Sequence, residues 1–355
     1  MKQLDIACGL FYICAIDCAL MEEKVTIHDI ARMLKVSPST VSRALNNNPR
    51  ISRSMRDEIQ KLANDRGYRP NILASSLRKG KSMTAGVVIP RINRFFFSGV
   101  IGGMEEILNT AGFNLMICQT LENYSKENEN LKTLLNMQVD VIFISLSAGT
   151  VNTSHIRDII NRGKRVIMFD RVDENLDLEM VRLNDFQGAY NTVKHMLSQG
   201  YRRIVHFAGP GNLLAYRERE RGYREALRDH DIGYMEVVPD IITRESGMEA
   251  MDSIILNKKM PDAVFAASDF SALGAILSAR KHSIPVPSSI GIAGFANEPF
   301  TEFVHPGITT TDQKSRLMGQ KIASLFLNDP EGNKKHREII DPELIIRNST
   351  LKTQT

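Results

Sequence analysis

The stretch VTIHDIARMLKVSPSTVSRALN, residues 25–46, decides how the chain reads. Thr26 is a good helix N-cap, and apolar Ile27, Ile30, Ala31 and Leu34 follow at helical spacing. A few residues on, Ser37 offers a second N-cap with Pro38 at the first helical position. In that second helix Val41, Ala44 and Leu45 face back on the first, which leaves Ser39, Thr40, Ser42 and Arg43 outside. Two short helices joined this way are a helix-turn-helix, and the polar outer side suits a major groove about 12 Å wide. Asn46, Asn47, Asn48 and Pro49 end the second helix. A third amphipathic helix is expected over residues 54–65, closed by Gly67, with Ile59 and Leu62 as core support.

Charge supports the same reading. Thirteen Lys/Arg face six Asp/Glu between Glu22 and Ser82, a net +7, while the rest of the chain sums to −3 of the total +4. A compact basic segment on a mildly acidic body suggests a polyanion-binding module attached to a sensing domain. A solvated basic face would give the same count, so the motif carries the weight. At 355 residues the chain implies two or three folding units. With 43% hydrophobic and 24% charged residues, disorder and fibrous structure are excluded. Cysteines stand at 8, 14, 18 and 118. The lone cysteine after residue 18 cannot staple a fold, so a reducing, cytoplasmic location is expected.

Residues 6–21, IACGLFYICAIDCALM, are apolar but fall short of the roughly 20 residues a membrane span requires. Asp5 and Asp17 fit a signal peptide badly. Residues 1–21 therefore read as an extension of doubtful origin, with Met21 as the expected natural start and no membrane partner.

Beyond residue 82 the pattern alternates. Strand-like runs are expected at 85–90, 114–119, 139–146, 165–170, 203–208, 263–268 and 290–295, with helices between them such as 98–110, 184–198, 217–228 and 269–281. Alternation of this kind argues for parallel sheets with helices on both faces, and the strand count fits two sheets better than one. Ligands of such sheets sit at the carboxyl ends of strands. The residues there include Asn93, Arg94, Phe95, Phe96 and Phe97; Asp170 and Arg171; Asn184 and Asp185; Ser268 and Asp269; Ala296, Asn297 and Glu298; Asp312 and Gln313. Ala208-Gly209-Pro210-Gly211 precedes a helix holding Arg217, Arg219 and Arg221. Aromatic faces beside forked donors and carboxylates are the chemistry of a sugar or nucleoside cleft. Phe95 reads as core, Arg219 and Arg221 as surface or salt-bridge residues, Asp269 as a helix cap, and Asp170–Arg171 as either ligand contacts or a structural ion pair.

The headpiece sequence, followed by RGYRPNILASSLRKGKS at residues 66–82, resembles the lactose/galactose-repressor (LacI/GalR) family of bacterial transcriptional regulators, densely over about sixty residues. The resemblance implies an α/β protein: an N-terminal helix-turn-helix headpiece at 22–70, a hinge helix and linker at 71–82, and a two-lobed periplasmic-binding-protein-like effector domain with doubly wound parallel sheets at 83–355. Its first lobe would take residues 83–184 and 313–341, its second 185–312 and 342–355. Pro38, Ser39 and Arg43 would read bases, with the Arg43 fork suited to guanine O6 and N7. Pro38 stands where many relatives have a polar or aromatic reader, and it donates no hydrogen bond. Thr26, Ser37, Thr40, Ser42, Asn46 and Tyr68 would position on phosphates. Hinge helices from two subunits would pair in the minor groove, where Leu77 is the wedge and Asn71, Ser76 and Arg78 are further DNA contacts.

In the body, the resemblance implies effector contacts from Phe96, Phe97, Asp170, Arg171, Asp185, Arg217, Ser268 and Gln313. Two positions depart from the family pattern. Ala296 replaces an Asp that takes sugar hydroxyls, so either Asn297 or Glu298 substitutes or the effector lacks that hydroxyl pair, and Ile242 stands where a stacking aromatic is usual. The implied partners are double-stranded operator DNA of near-palindromic sequence, a carbohydrate-like small molecule and a second copy of the chain. Leu344 and Leu351 stand alone, so no coiled-coil tetramer is expected.

Enzymatic readings find little. The eight histidines never group with cysteines or carboxylates at metal-ligand spacing, Ser145 and Ser147 lack the glycines of a nucleophile elbow, and AGPGN at 208–212 lacks the end of a phosphate loop. No cofactor, metal or catalytic residue is implied. The alternatives are a sugar-binding protein or a nucleotide-using α/β enzyme.

Overall fold

The structure, a computed structural model, describes residues 25–68, 82–258, 260–330, 332 and 335–352. It divides into two compact units, residues 1–80 and 81–355.

The first unit is three helices: α1 (Ile27–Met33), α2 (Pro38–Leu45) and α3 (Arg53–Asp65). Thr26 caps α1 through a capping box with Asp29, Ser37 caps α2 by accepting from the Thr40 amide, and Ser52 does the same for α3. Ile30 and Ala31 of α1, Val41 and Ala44 of α2, and Ile59 and Ala63 of α3 form the buried centre. Leu62, expected there, packs against it half-buried. Asn47 at φ 53° and Gly67 at φ 63° make the left-handed turns that end α2 and α3.

The second unit has two parallel sheets. The larger holds β1 (Thr84–Ile89), β2 (Asn114–Gln119), β3 (Val141–Ile144), β4 (Arg165–Phe169), β5 (Glu179–Leu183) and β11 (Arg337–Ile340), in the order β11-β5-β4-β3-β1-β2. The smaller holds β6 (Ile204–Phe207), β7 (Glu236–Val238), β8 (Ala263–Ala266) and β9 (Gly291–Ala293), in the order β7-β6-β8-β9. A third pairing, β10 (Thr310–Asp312) with β12 (Glu343–Ile345), is antiparallel. Strands β1, β3 and β8 are wholly or almost wholly buried, so they read as unbroken apolar runs, as strands covered on both faces must.

Among the described residues the chain passes between the sheets at Asn184, near Gln313 and at Asp341. Asn184 ties two of these crossings, donating its amide to Ile340 O at 2.8 Å and its side chain to Asp341 Oδ1 at 3.2 Å. Among the helices, α4 (Phe95–Thr110) packs on α12 (Ser315–Asn328). Their backbones approach so closely that a Cβ on Gly103 would stand 2.1 Å from Arg316 O, and one on Gly319 2.0 Å from Val100 O. Helix α4 begins at Phe95, three residues before the sequence expectation, because Arg94 already has the extended backbone of an N-cap. That shift turns Phe95 outward to 49% exposure, correcting the expectation that it is core, and buries Phe96 and Phe97.

Candidate functional site

In the headpiece, the outer face of α2 is what the folding of α1 and α3 leaves free. Ser39 and Arg43 are exposed, as is Asn46, while Pro38, Thr40 and Ser42 are half-buried. The hydroxyls of Ser37, Ser39 and Thr40 cluster at the helix start, Ser37 Oγ lying 2.7 Å from Ser39 Oγ and 2.9 Å from Thr40 Oγ1. A helix N-terminus dressed with hydroxyls is a phosphate-binding arrangement. Asn46 Nδ2 donates to Ser42 O at 2.7 Å and so closes the other end. Thr26 is committed to its capping box, with Oγ1 2.6 Å from Asp29 Oδ2. Tyr68 packs half-buried on the headpiece core. Asn71, Ser76, Leu77 and Arg78, like the extension at 1–21, lie outside the described residues.

In the second unit, a cavity of about 260 Å³ opens where the strands of both sheets end. Arg94, Phe96 and Phe97 reach it from the end of β1, Glu122 from β2, and Asp170 and Arg171 from β4. On the other side stand Ser268 and Phe270 after β8, Ala296 and Glu298 after β9, and Gln313 after β10. Helix α8 (Leu214–Arg228) adds Tyr216 and Arg219.

Its charges are arranged in buried pairs. Arg171 Nη1 holds Glu122 at 2.8 Å and 3.1 Å from the two carboxylate oxygens. Burial alone would lower the Arg171 pKa, but Tyr216, Glu122 and Asp170 together raise it above the ordinary arginine value. Asp170, at φ 57° in the left-handed region, accepts from Ser145 Oγ at 3.3 Å. Burial pushes its pKa up to about 6, against the pull of Arg171. Arg219 donates Nε to Asp185 Oδ1 and Nη1 to Ala267 O, both at 2.8 Å, and its guanidinium lies 3.9 Å from the Phe295 ring centroid. Asp269 accepts from Thr310 Oγ1 at 2.6 Å and from the Glu298 amide at 2.8 Å, and burial raises it to about 7. Arg94 lies over the Phe270 ring at 4.0 Å. Flat apolar faces beside carboxylates and guanidinium forks can stack a ring and hydrogen-bond its hydroxyls.

Of the expected effector residues, Phe96, Phe97, Asp170, Arg171, Ser268 and Gln313 line this cavity. Asp185 stands behind it in a salt bridge with Arg219, the second of the two roles expected of that arginine; Arg219 is 5% exposed, so not a surface residue, and also faces the cavity. Arg217 points elsewhere, because two helical positions from Arg219 is the opposite side of α8; its Nη1 donates to Asn212 O at 2.9 Å and Gly211 O at 3.3 Å. Asn297 is also turned away, its side chain spent on Asp312 at 3.1 Å and Arg347 at 3.1 Å. Ala296 and Glu298 face the cavity instead. Ala296 holds φ 133°, a conformation that costs a residue with a Cβ about 1–3 kcal/mol. Ile242 lines the wall where an aromatic was missing. Asp269 is not the expected helix cap, since Ser268 is the N-cap of α10 (Asp269–Lys281); its carboxylate instead holds Thr310 and the Glu298 amide. Sequence reasoning missed Tyr216, Phe270 and Glu122. Glu122 follows a strand end like the rest, and the same rule applied after Gln119 reaches it.

Among the described residues no group of three or more His, Cys, Asp or Glu could hold a metal ion, and no helix is long and apolar enough to cross a membrane.

Comparison with known proteins accounts for both units. Residues 26–71 match the family described as bacterial regulatory proteins, lacI family, and residues 193–350 match a periplasmic binding protein-like domain. The chain is 30% identical over 337 residues to the HTH-type transcriptional regulator DegA of Bacillus subtilis (strain 168), covering 94% of this chain and 100% of that one. It is 31% identical over 336 residues to the HTH-type transcriptional repressor CytR of Escherichia coli (strain K12), covering 93% and 97%. A crystal structure of the Lac repressor dimer bound to operator and the anti-inducer ONPF superimposes with a TM-score of 0.83 at 21% identity, covering 93% of this chain and 100% of that one. With a helix-turn-helix unit, two doubly wound sheets and relatives matched along nearly their whole length, the chain belongs to the LacI family of bacterial regulatory proteins.

Proposed function

We propose that the protein is a cytoplasmic, sequence-specific transcriptional repressor that binds a near-palindromic operator as a homodimer and answers to a small carbohydrate-like effector. The cavity carries this reading: paired carboxylates and guanidinium groups interleaved with aromatic faces suit a polyhydroxylated ring. The headpiece supports the DNA role, with Arg43 and Ser39 reading bases and Ser37, Thr40 and Ser42 on phosphates. The resemblance at residues 66–82 supports a hinge in which Leu77 wedges a central base step, flanked by Asn71, Ser76 and Arg78. Phe96, Phe97, Asp170, Arg171, Ser268, Glu298 and Gln313 are the effector contacts, with Arg219 beside them and Asp185 behind it. Effector held between the lobes would shift their populations of relative angle, with a coupling of about 1–3 kcal/mol to DNA affinity. The protein binds its effector and leaves it unchanged.

Selection of duplexes from a random pool at moderate ionic strength tests the first half. A palindromic consensus bound with a steep salt dependence is expected; equal retention of every sequence ends the proposal. A thermal-shift screen against mono- and disaccharides, sugar acids and nucleosides tests the second. An Arg171→Ala protein should lose the shift and the response to the hit while keeping its operator affinity, and a normal response would place the effector elsewhere.

A further inference from the structure

The motif AGPGN at 208–212 lacks the sequence ending of a phosphate loop, and its last residue reaches across the cleft. Asn212 follows the second lobe's β6, and its Nδ2 donates to Ala148 O at 2.8 Å and Thr150 O at 3.4 Å in the loop after β3 of the first lobe. The next residue goes further. Leu213, 3% exposed, is buried in the apolar cluster of the first lobe, with Leu146, Val172 and Leu176. Arg217 holds the base of this projection through its bonds to the carbonyls of Gly211 and Asn212.

The surface that receives Asn212 is tied down by hydrogen bonds and leads to the cavity. Ala148 N donates to Glu122 Oε2 at 2.8 Å, and Gly149 N to Glu122 O at 3.2 Å. A Cβ on Gly149 would stand 2.8 Å from that same carbonyl, so the approach requires glycine. Ser147 N and Thr150 Oγ1 are bound to the buried Glu127 at 2.7 Å and 2.8 Å. Glu122, gripped on one side by Ala148, presents its carboxylate to Arg171 on the other.

We propose that Asn212 and Leu213 form a latch that closes the second lobe on the first, and that Asn212 is a positioning residue for the Glu122–Arg171 pair at the cavity. Its link to effector response rests on the reading of the cavity given above; the latch itself does not. Breaking it leaves each lobe intact and frees the angle between them. Asn212→Ala removes both donations. Asn212→Asp replaces a donor with an anion facing two carbonyl oxygens, which disfavours closure more strongly.

The test uses the full chain with its native cysteines changed to serine and spin labels at Glu129 and Leu256, one exposed position on each lobe. Labelled subunits are diluted with unlabelled ones, and pulsed dipolar spectroscopy reads the lobe-to-lobe distance with no sugar added. A shift to longer and broader distances is expected for Asn212→Ala, a larger one for Asn212→Asp, and none for Asn175→Ala, whose side chain bonds to Asp173 within its own lobe. Unfolding temperatures close to wild type show that the chain is still folded. Distances unchanged in both Asn212 variants overturn the latch. Because no effector is present, that outcome is separate from failure of every sugar in the thermal-shift screen, which would instead overturn the effector reading.

Discussion

The headpiece and the cavity put their functional groups to opposite physical use. In the headpiece, Ser39 and Arg43 are exposed, and Ser39 bonds to the neighbouring Ser37 hydroxyl. In the cavity, Arg171 and Arg219 are 9% and 5% exposed and already hold carboxylates. An exposed side chain costs the fold little, so it can be exchanged with little loss of stability. A buried pair has been desolvated at some cost, and removing one partner leaves an uncompensated charge inside the protein. Specificity in the two regions therefore carries different penalties for change.

Arg219→Ala should give the largest effect, about 3–5 kcal/mol of stability lost in urea unfolding, because Asp185 keeps its burial without its partner. A loss below about 1 kcal/mol would show that water reaches Asp185, and the contrast with the headpiece would weaken. Next comes Asp170, whose pKa is raised from 3.8 to about 6 by burial. A carboxyl raised by folding contributes stability that is complete below the unfolded pKa and is lost as pH climbs through the folded one. Wild type minus Asp170→Asn should thus decline by about 3 kcal/mol between about pH 3 and 7, and a flat difference would return Asp170 to an ordinary value. Arg43→Ala should weaken operator binding by about 1–3 kcal/mol and relax one base pair per half-site, with unfolding unchanged within about 0.5 kcal/mol. Equal weakening on random duplex would make Arg43 a phosphate contact. Thr26→Ala should give the smallest change, about 1 kcal/mol of headpiece stability from the lost cap, read as a lower melting temperature of the helical signal.

Legibility followed the range of the interactions. The headpiece is specified by neighbours: caps at Thr26 and Ser37, proline at 38 and an apolar face with a helical period, so its helices emerged within a residue or two of their ends. The central strands β1, β3 and β8 were plain for a related reason, being buried on both faces. Strands β5, β7, β10, β11 and β12 were not. Each is short or carries charges such as Arg182, Glu338 and Glu343, and each is a strand because a distant segment pairs with it, as β11 does with β5. The cavity was legible as far as the strand-end rule reaches. That rule fixes where a residue sits but not which way its side chain turns: it reached Arg217, Arg219 and Arg221 alike, and the family resemblance then picked out Arg217 and left Asn297 as one substitute for a missing Asp. A helical wheel from Asp185's partner back to α8 separates Arg217 from Arg219; the sequence alone offers no such anchor.

The six-stranded sheet has one further implication, for synthesis. Its last strand, Arg337–Ile340, is encoded about 150 residues after its neighbour Glu179–Leu183. While a ribosome makes the whole intervening lobe, roughly 8–30 s at ordinary elongation rates, β5 is an unpaired edge on a nascent chain. The first lobe begins first and stays incomplete until the second is nearly made. A growing polypeptide therefore spends much of its synthesis with that margin open to wrong pairing, and its demand for chaperones should fall only once Ile340 has cleared the exit tunnel.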